Sequence, residues 1–258
     1  MCGTNSGRYA SEYKRAVQGG RVMRILMIMM GIVVFLSGCS TSVDPNPIKG
    51  NSTIDWVDFV KLNGDSYTGL YGRVLKNPGD VTDEVVGEVK FKVGDVVTNP
   101  NYKTKAGDAA FLEIGTKLYR VNGYKSEELI AAKDENQIGG YRLYAGDDFV
   151  KTLQLHYKDM PKDKVERVEL YHFDQAIPFN TLLNDDKERF IELLDHGKDT
   201  PNYRPQNKDG DPAYYQMVFY TDGPLGYAYS IADDGVNVFF YPWDTRIVDD
   251  EVRNWLNP

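Results

Sequence analysis

The sequence predicts an α+β fold: a mostly antiparallel β-rich unit over 54–148, then an antiparallel sheet with two helices over 149–258. Three observations carry this expectation. Between Ile54 and Tyr144 the dominant apolar period is two. Asn63-Gly64 and Gly115-Thr116 stand between strand-like runs, as hairpin turns do. After Phe149, strands group around two helical patterns instead of alternating with them, which argues against a doubly wound sheet.

In order, Ile54–Leu62 and Ser66–Leu75 read as hairpin arms around Asn63-Gly64. Val85, Gly87, Val89, Phe91 and Val93 alternate with Glu84, Val86, Glu88, Lys90 and Lys92, the pattern of one half-buried strand. Ala110–Ile114 and Lys117–Val121 read as a second hairpin around Gly115-Thr116. Ser126–Lys133 reads as a short helix capped by Ser126. Val150–Tyr157 and Val165–Phe173 read as strands around the turn at Met160–Asp163. The clearest helix follows. Asp185 is its expected cap with Glu188 three residues on, Phe190, Leu193 and Leu194 form its stripe, and Gly197 stops it. A polar loop over 198–212 leads to strands Tyr214–Thr221, Gly226–Ala232 and Val236–Tyr241. Asp249 then opens a terminal helix.

Composition narrows the function. The chain has 258 residues and a formal net charge of −8. Five basic residues and one acid precede Cys39, so the part from Cys39 onward keeps 25 basic and 37 acidic side chains. An acidic surface repels phosphate backbones and anionic head groups, which excludes nucleic acid as the expected partner. The two cysteines, Cys2 and Cys39, fall on either side of residue 38, so no disulfide is expected to staple the mature fold.

The N-terminus carries the most specific signal. Arg24 precedes an uncharged apolar run of 12 residues, Ile25–Leu36, the length of a signal-peptide core and short for a bilayer span. Leu36-Ser37-Gly38-Cys39 follows at once and resembles the lipobox of bacterial lipoproteins. Small side chains at Ser37 and Gly38 let an extended chain enter a peptidase, and the Cys39 thiol can accept a diacylglyceryl group. Residues 1–38 are thus expected to be a signal peptide, with 1–22 a start-site extension ahead of Met23. Residues 39–53 read as a Ser/Thr/Pro/Asn tether from a lipid anchor such as palmitate. Two further phrases, IDWVDFVKLNGDSYTGLY at 54–71 and GDAAFLEIGTKLYRVNGY at 107–124, resemble lipoproteins of unassigned function from spore-forming Gram-positive bacteria. That resemblance implies an extracytoplasmic location on a cell membrane. It implies no catalytic residue.

A search for chemistry returns little. His156 and His172, on expected neighbouring strands, could ligate zinc with Asp159 or Asp174, but no spacing matches a zinc pattern. Asn207–Asp211 resembles part of a calcium loop without its closing glutamate. No nucleophile elbow, P-loop or dinucleotide fingerprint occurs. Neither a metal nor a cofactor is expected. The aromatics are more suggestive: Tyr227, Tyr229, Tyr241 and Trp243 are the candidate contact surface, tyrosine and tryptophan offering apolar area with a polar tip. The competing reading puts those rings in an ordinary sheet core. The function expected is a non-enzymatic binding or accessory domain for an envelope protein or wall glycan, held to the membrane through Cys39. Its rival is an envelope hydrolase of wall glycan or peptide using acids of the 233–250 region. The solute receptor of a transporter fits less well, since such receptors have two α/β lobes.

Overall fold

The computed structural model describes residues 54–206 and 210–256. The expected signal peptide, tether and Cys39, and most of the calcium-like loop, lie outside the described residues.

The protein is α+β, built on two sheets whose strands are nearly all antiparallel. The first sheet draws on β1 (Phe59–Leu62), β2 (Asp65–Gly69), β4 (Val81–Glu88), β5 (Phe91–Lys92), β6 (Asp108–Ala109), β7 (Lys117–Val121), β8 (Leu129–Lys133) and β9 (Tyr141–Gly146), in the order β4-β7-β8-β9-β2-β1-β6-β5. Only β5 and β6 run parallel. Helix α1 (Asp147–Val150) leads out of it. The second sheet draws on β10 (Arg167–His172), β11 (Asn180–Leu182), β12 (Lys198–Asp199), β13 (Ala213–Tyr220), β14 (Leu225–Asp233), β15 (Val238–Phe240) and β16 (Arg246–Val248), in the order β11-β10-β13-β14-β15-β16-β12. Strand β3 (Arg73–Leu75), from the first half of the chain, pairs with β14 of this second sheet. Helices α2 (Asn184–Asp195) and α3 (Arg253–Leu256) complete the fold.

The Asn63-Gly64 turn forms as its residue types require. Both residues have positive φ, +50° and +97°, and Leu62 pairs with Asp65 across a two-residue loop. The second arm then breaks at Leu70–Gly72, and β3 leaves for the other sheet. The core of the second sheet joins Val168, Leu170, Met217, Phe219 and Ile231 to Phe190, Leu193 and Leu194 of α2. The α2 stripe is as expected, and the helix ends before Gly197. Its start differs: Leu183 holds the cap position, with no side-chain cap hydrogen bond, and Asp185 lies in the first turn, where its charge complements the helix dipole.

Four expectations are corrected. Ser126–Lys133 is no helix. Leu129 to Ala132 are each wholly buried and form the central strand β8, and a short apolar run covered on both faces has no helical period to reveal it. Ala110–Ile114 is no hairpin arm, because β7 spends its two edges on β4 and β8. The run from Val85 to Val93 is no single alternating strand. Register shifts between Val81 and Val85 and between Val85 and Gly87 change which side chains face inward, so Val85 is exposed and Val86 packs on the core. Val150–Tyr157 is no strand. It continues from α1 through irregular chain into a single turn at Tyr157–Asp159, and the strand of His172 pairs instead with β11 and β13.

Candidate functional site

The most developed site is a cleft at one edge of β14. At the start of β14, Leu225–Tyr227 pair with β3, and the Ala228 amide donates to the Gly72 carbonyl at 3.2 Å. At its end, Ile231–Asp233 pair with β15, and the Tyr241 amide donates to the Ser230 carbonyl at 3.1 Å. Between these points the two flanking chains part. Ala228–Ser230 become the floor of a cavity of about 540 Å³, a size usual for small-molecule sites.

Rings make its walls. Tyr157 is buried and meets Tyr229 edge-on at 5.5 Å and Phe240 at 5.0 Å, so the inner wall belongs to the core of the second sheet. Tyr71, Leu155, Tyr241 and Trp243 make the outer wall. They are exposed, Tyr71 to 69% and Trp243 to 79%. Burial raises the hydroxyl pKa of Tyr157 and Tyr229 well above that of free tyrosine, so both remain neutral. Burial, with the Asp58 carboxylate behind it, pushes Tyr71 up to about 12.

Trp243 rides on the turn between β15 and β16. The Tyr241-Pro242 peptide is cis, and Asp244 takes a left-handed backbone at φ +52°. The turn is tied across the cleft mouth by His156 Nδ1, which donates to Asp244 Oδ2 at 2.7 Å. Adjoining it lies a second cavity of about 590 Å³, which shares Tyr157, Phe240, Pro242, Trp243 and Asp244 with the first. Lys158, Asp199 and Arg246 line it, Arg246 Nε lying 3.2 Å from Asp199. Trp243 therefore stands as a ridge between two hollows.

Of the four expected surface residues, the structure brings together Tyr229, Tyr241 and Trp243 and leaves Tyr227 apart. Tyr227 shares a sheet face with Tyr229, but the Arg73 guanidinium packs 3.9 Å over its ring. Arg73 is 5% exposed and donates to the carbonyls of Gly72 and Gln154, and its desolvation lowers its pKa. Tyr227 lines a separate hollow of about 310 Å³ with Arg73 and Tyr124. Sequence reasoning missed Tyr71, Leu155 and His156, which come from segments read as strand. The one available signal was the setting of Tyr71 between Gly69-Leu70 and Gly72, where the chain must turn sharply away.

The other chemistry-bearing residues sit elsewhere. His172 stacks on Phe179 at 4.3 Å, and the His196 amide donates to Glu192 at the end of α2. Among the acids of 233–250, Asp233 receives both Nε and Nη2 of Arg253, and Asp250 receives Nη1. Asp234 accepts from the amides of Val236 and Asn237, and Asp249 accepts from the Glu251 amide. Of these acids only Asp244 lines the cleft. Among the described residues, no three His, Cys, Asp or Glu side chains are grouped to hold a metal ion, and no helix is long and apolar enough to cross a membrane. Comparison with protein-family models, with curated proteins and with solved structures returned no match.

Proposed function

We propose that this protein is a lipid-anchored extracytoplasmic binding or accessory domain whose contact site is the cleft under Trp243. One observation carries the reading. Four large apolar side chains left in water, Tyr71, Leu155, Tyr241 and Trp243, share one concave surface. Scattered exposed apolar residues need no explanation, whereas a clustered set with a polar rim marks a recognition site. The acids of 233–250 support a non-catalytic role, since nearly all are committed to local turns or ion pairs and only one reaches the cleft. The lipobox Leu36–Cys39 supplies the anchor, acyl chains on Cys39 holding the domain to the outer face of the membrane, as the resemblance to Gram-positive lipoproteins implies.

Two experiments test this. A photoreactive residue at position 243, in full-length protein on intact cells, is expected to crosslink a defined envelope component. The same residue at position 177, exposed and outside the cleft, should not. Equal yield from both positions overturns the site. Cys39→Ala is expected to release the protein from washed membranes or to accumulate uncut precursor. Normal processing with unchanged membrane retention overturns the anchor.

A further inference from the structure

We infer that the cleft takes a neutral glycan chain, with sugar rings seated on both sides of Trp243; this rests on the reading that the cleft is the binding site. The first argument is size. The floor is the three residues Ala228–Ser230, about 10 Å of strand at roughly 3.3 Å per residue. That is too short to seat a helix, and it matches the span of one or two pyranose rings.

The second argument is the kind of surface. A pyranose presents a flat face of C–H groups carrying small positive charge, ringed by hydroxyls that need hydrogen-bond partners. The negative face of an aromatic ring complements the first, and side-chain polar groups at the ring edge complement the second. Here Tyr71, Tyr241 and Trp243 provide exposed rings, with Ser230 and the His156–Asp244 pair beside them. These rings are held before ligand arrives: Tyr71 by its hydrogen bond to Asp58, Tyr241 against Tyr214 at 5.2 Å, and the Trp243 turn by His156. Fixed rings lose little entropy on binding.

The third argument is charge. The protein as a whole is acidic, yet the two hollows taken together are balanced: Lys158 and Arg246 stand against Asp199 and Asp244, and in the cleft itself Asp244 is paired with His156. A balanced lining selects neither an anion nor a cation and favours an uncharged, hydroxyl-rich ligand. The fourth is continuity. Because the hollows share Trp243 and the base beneath it, a chain crossing the ridge would occupy both, and a single sugar only one.

The test is a titration of full-length protein, held in a detergent without a sugar headgroup, with neutral tetrasaccharides of β-linked hexose and of N-acetylhexosamine. At least one tetrasaccharide is expected to bind, at least tenfold tighter than its monosaccharide. Trp243→Ala is expected to weaken it at least tenfold with an unchanged unfolding midpoint, and Ile177→Ser to change nothing. Absence of binding by every tetrasaccharide, or binding indifferent to Trp243→Ala, overturns the inference. Equal affinity for one sugar and four overturns seating on both sides of the ridge. If no glycan binds while the crosslinker at position 243 captures a protein that Trp243→Ala loses, the glycan is wrong and the contact site stands. If neither is sensitive to Trp243→Ala, both readings fall.

Discussion

The hydroxyl of Tyr71 donates to Oδ2 of Asp58 at 3.0 Å, joining an exposed wall of the cleft to a carboxylate that is only 3% exposed. Tyr144, wholly buried in the first sheet, donates to the same carboxylate at 3.1 Å, and Arg142 lies 3.8 Å away. Asp58 thus answers to the core and to the binding surface together. Asp58→Ala strands the Tyr144 hydroxyl and is expected to cost about 2–4 kcal/mol, more than the roughly 1 kcal/mol of an ordinary hydrogen bond. Tyr71→Phe leaves the core pair intact and is expected to cost under about 1 kcal/mol. Urea unfolding of both variants checks the order, and equal losses would show that Tyr144 does not depend on Asp58.

The His156–Asp244 pair is expected to matter for order and hardly at all for stability. Both side chains are about half exposed, and such pairs contribute between about 0 and 1 kcal/mol. His156→Ala should therefore leave the thermal midpoint nearly unchanged while amide exchange across residues 241–245 speeds up. Unchanged exchange in that turn would mean that it holds its shape without the tie.

Alkali should weaken the fold in a defined window. Burial first, then the Asp65 charge, pushes Tyr67 up to about 12, and burial likewise pushes Tyr220 up to about 12. In the unfolded chain both would release their protons near 10. The folded state holds protons that the unfolded state gives up, so their contribution is complete below about pH 10 and is lost as pH rises through 12. Ultraviolet titration of tyrosinate, with and without denaturant, reads this directly. Coincident curves in the two conditions would refute it.

Gly139 and Gly64 separate strain from collision. Both have positive φ, at +77° and +97°, where an L side chain costs roughly 1–2 kcal/mol. At Gly64 a Cβ meets open space. At Gly139 it would stand 2.3 Å from the Leu75 carbonyl oxygen. Gly64→Ala is expected to cost about 1 kcal/mol and Gly139→Ala at least about 2 kcal/mol more, since displacing backbone adds the overpacking penalty. Denaturant midpoints of the two variants decide it.

Much of this fold is legible where local chemistry and tertiary packing agree. Asn63-Gly64 specifies its own turn, Phe190, Leu193 and Leu194 their own helix, and the three strands from Ala213 to Phe240 their own meander. Legibility fails where the deciding contact is remote. Nothing near Leu129 says that sheet covers it on both faces, and nothing near Arg73 says that its strand belongs beside Tyr227. The cleft was half legible for the same reason. Tyr229, Tyr241 and Trp243 are near in sequence and could be grouped, but Tyr71 and His156 reach them only through the parting of β3 and β15 from β14. Tyr227 was misplaced because alternation gives a sheet face and is silent about the guanidinium of Arg73, 154 positions away in sequence.

The pairing of Val74 with Gly226 spans 152 positions of sequence. A chain made from its N-terminus must run on through β10–β13 and into β14 before Arg73–Leu75 has its strand partner. Until then Leu75, wholly buried in the finished protein beside Val121, Leu129 and Leu143, lacks its neighbour Leu225 and sits on a short unpaired edge. The first half therefore waits with one edge open. Strand β3 is a seam closed late, and any truncation that removes β14 leaves that edge unpaired and the β-rich half open to self-association.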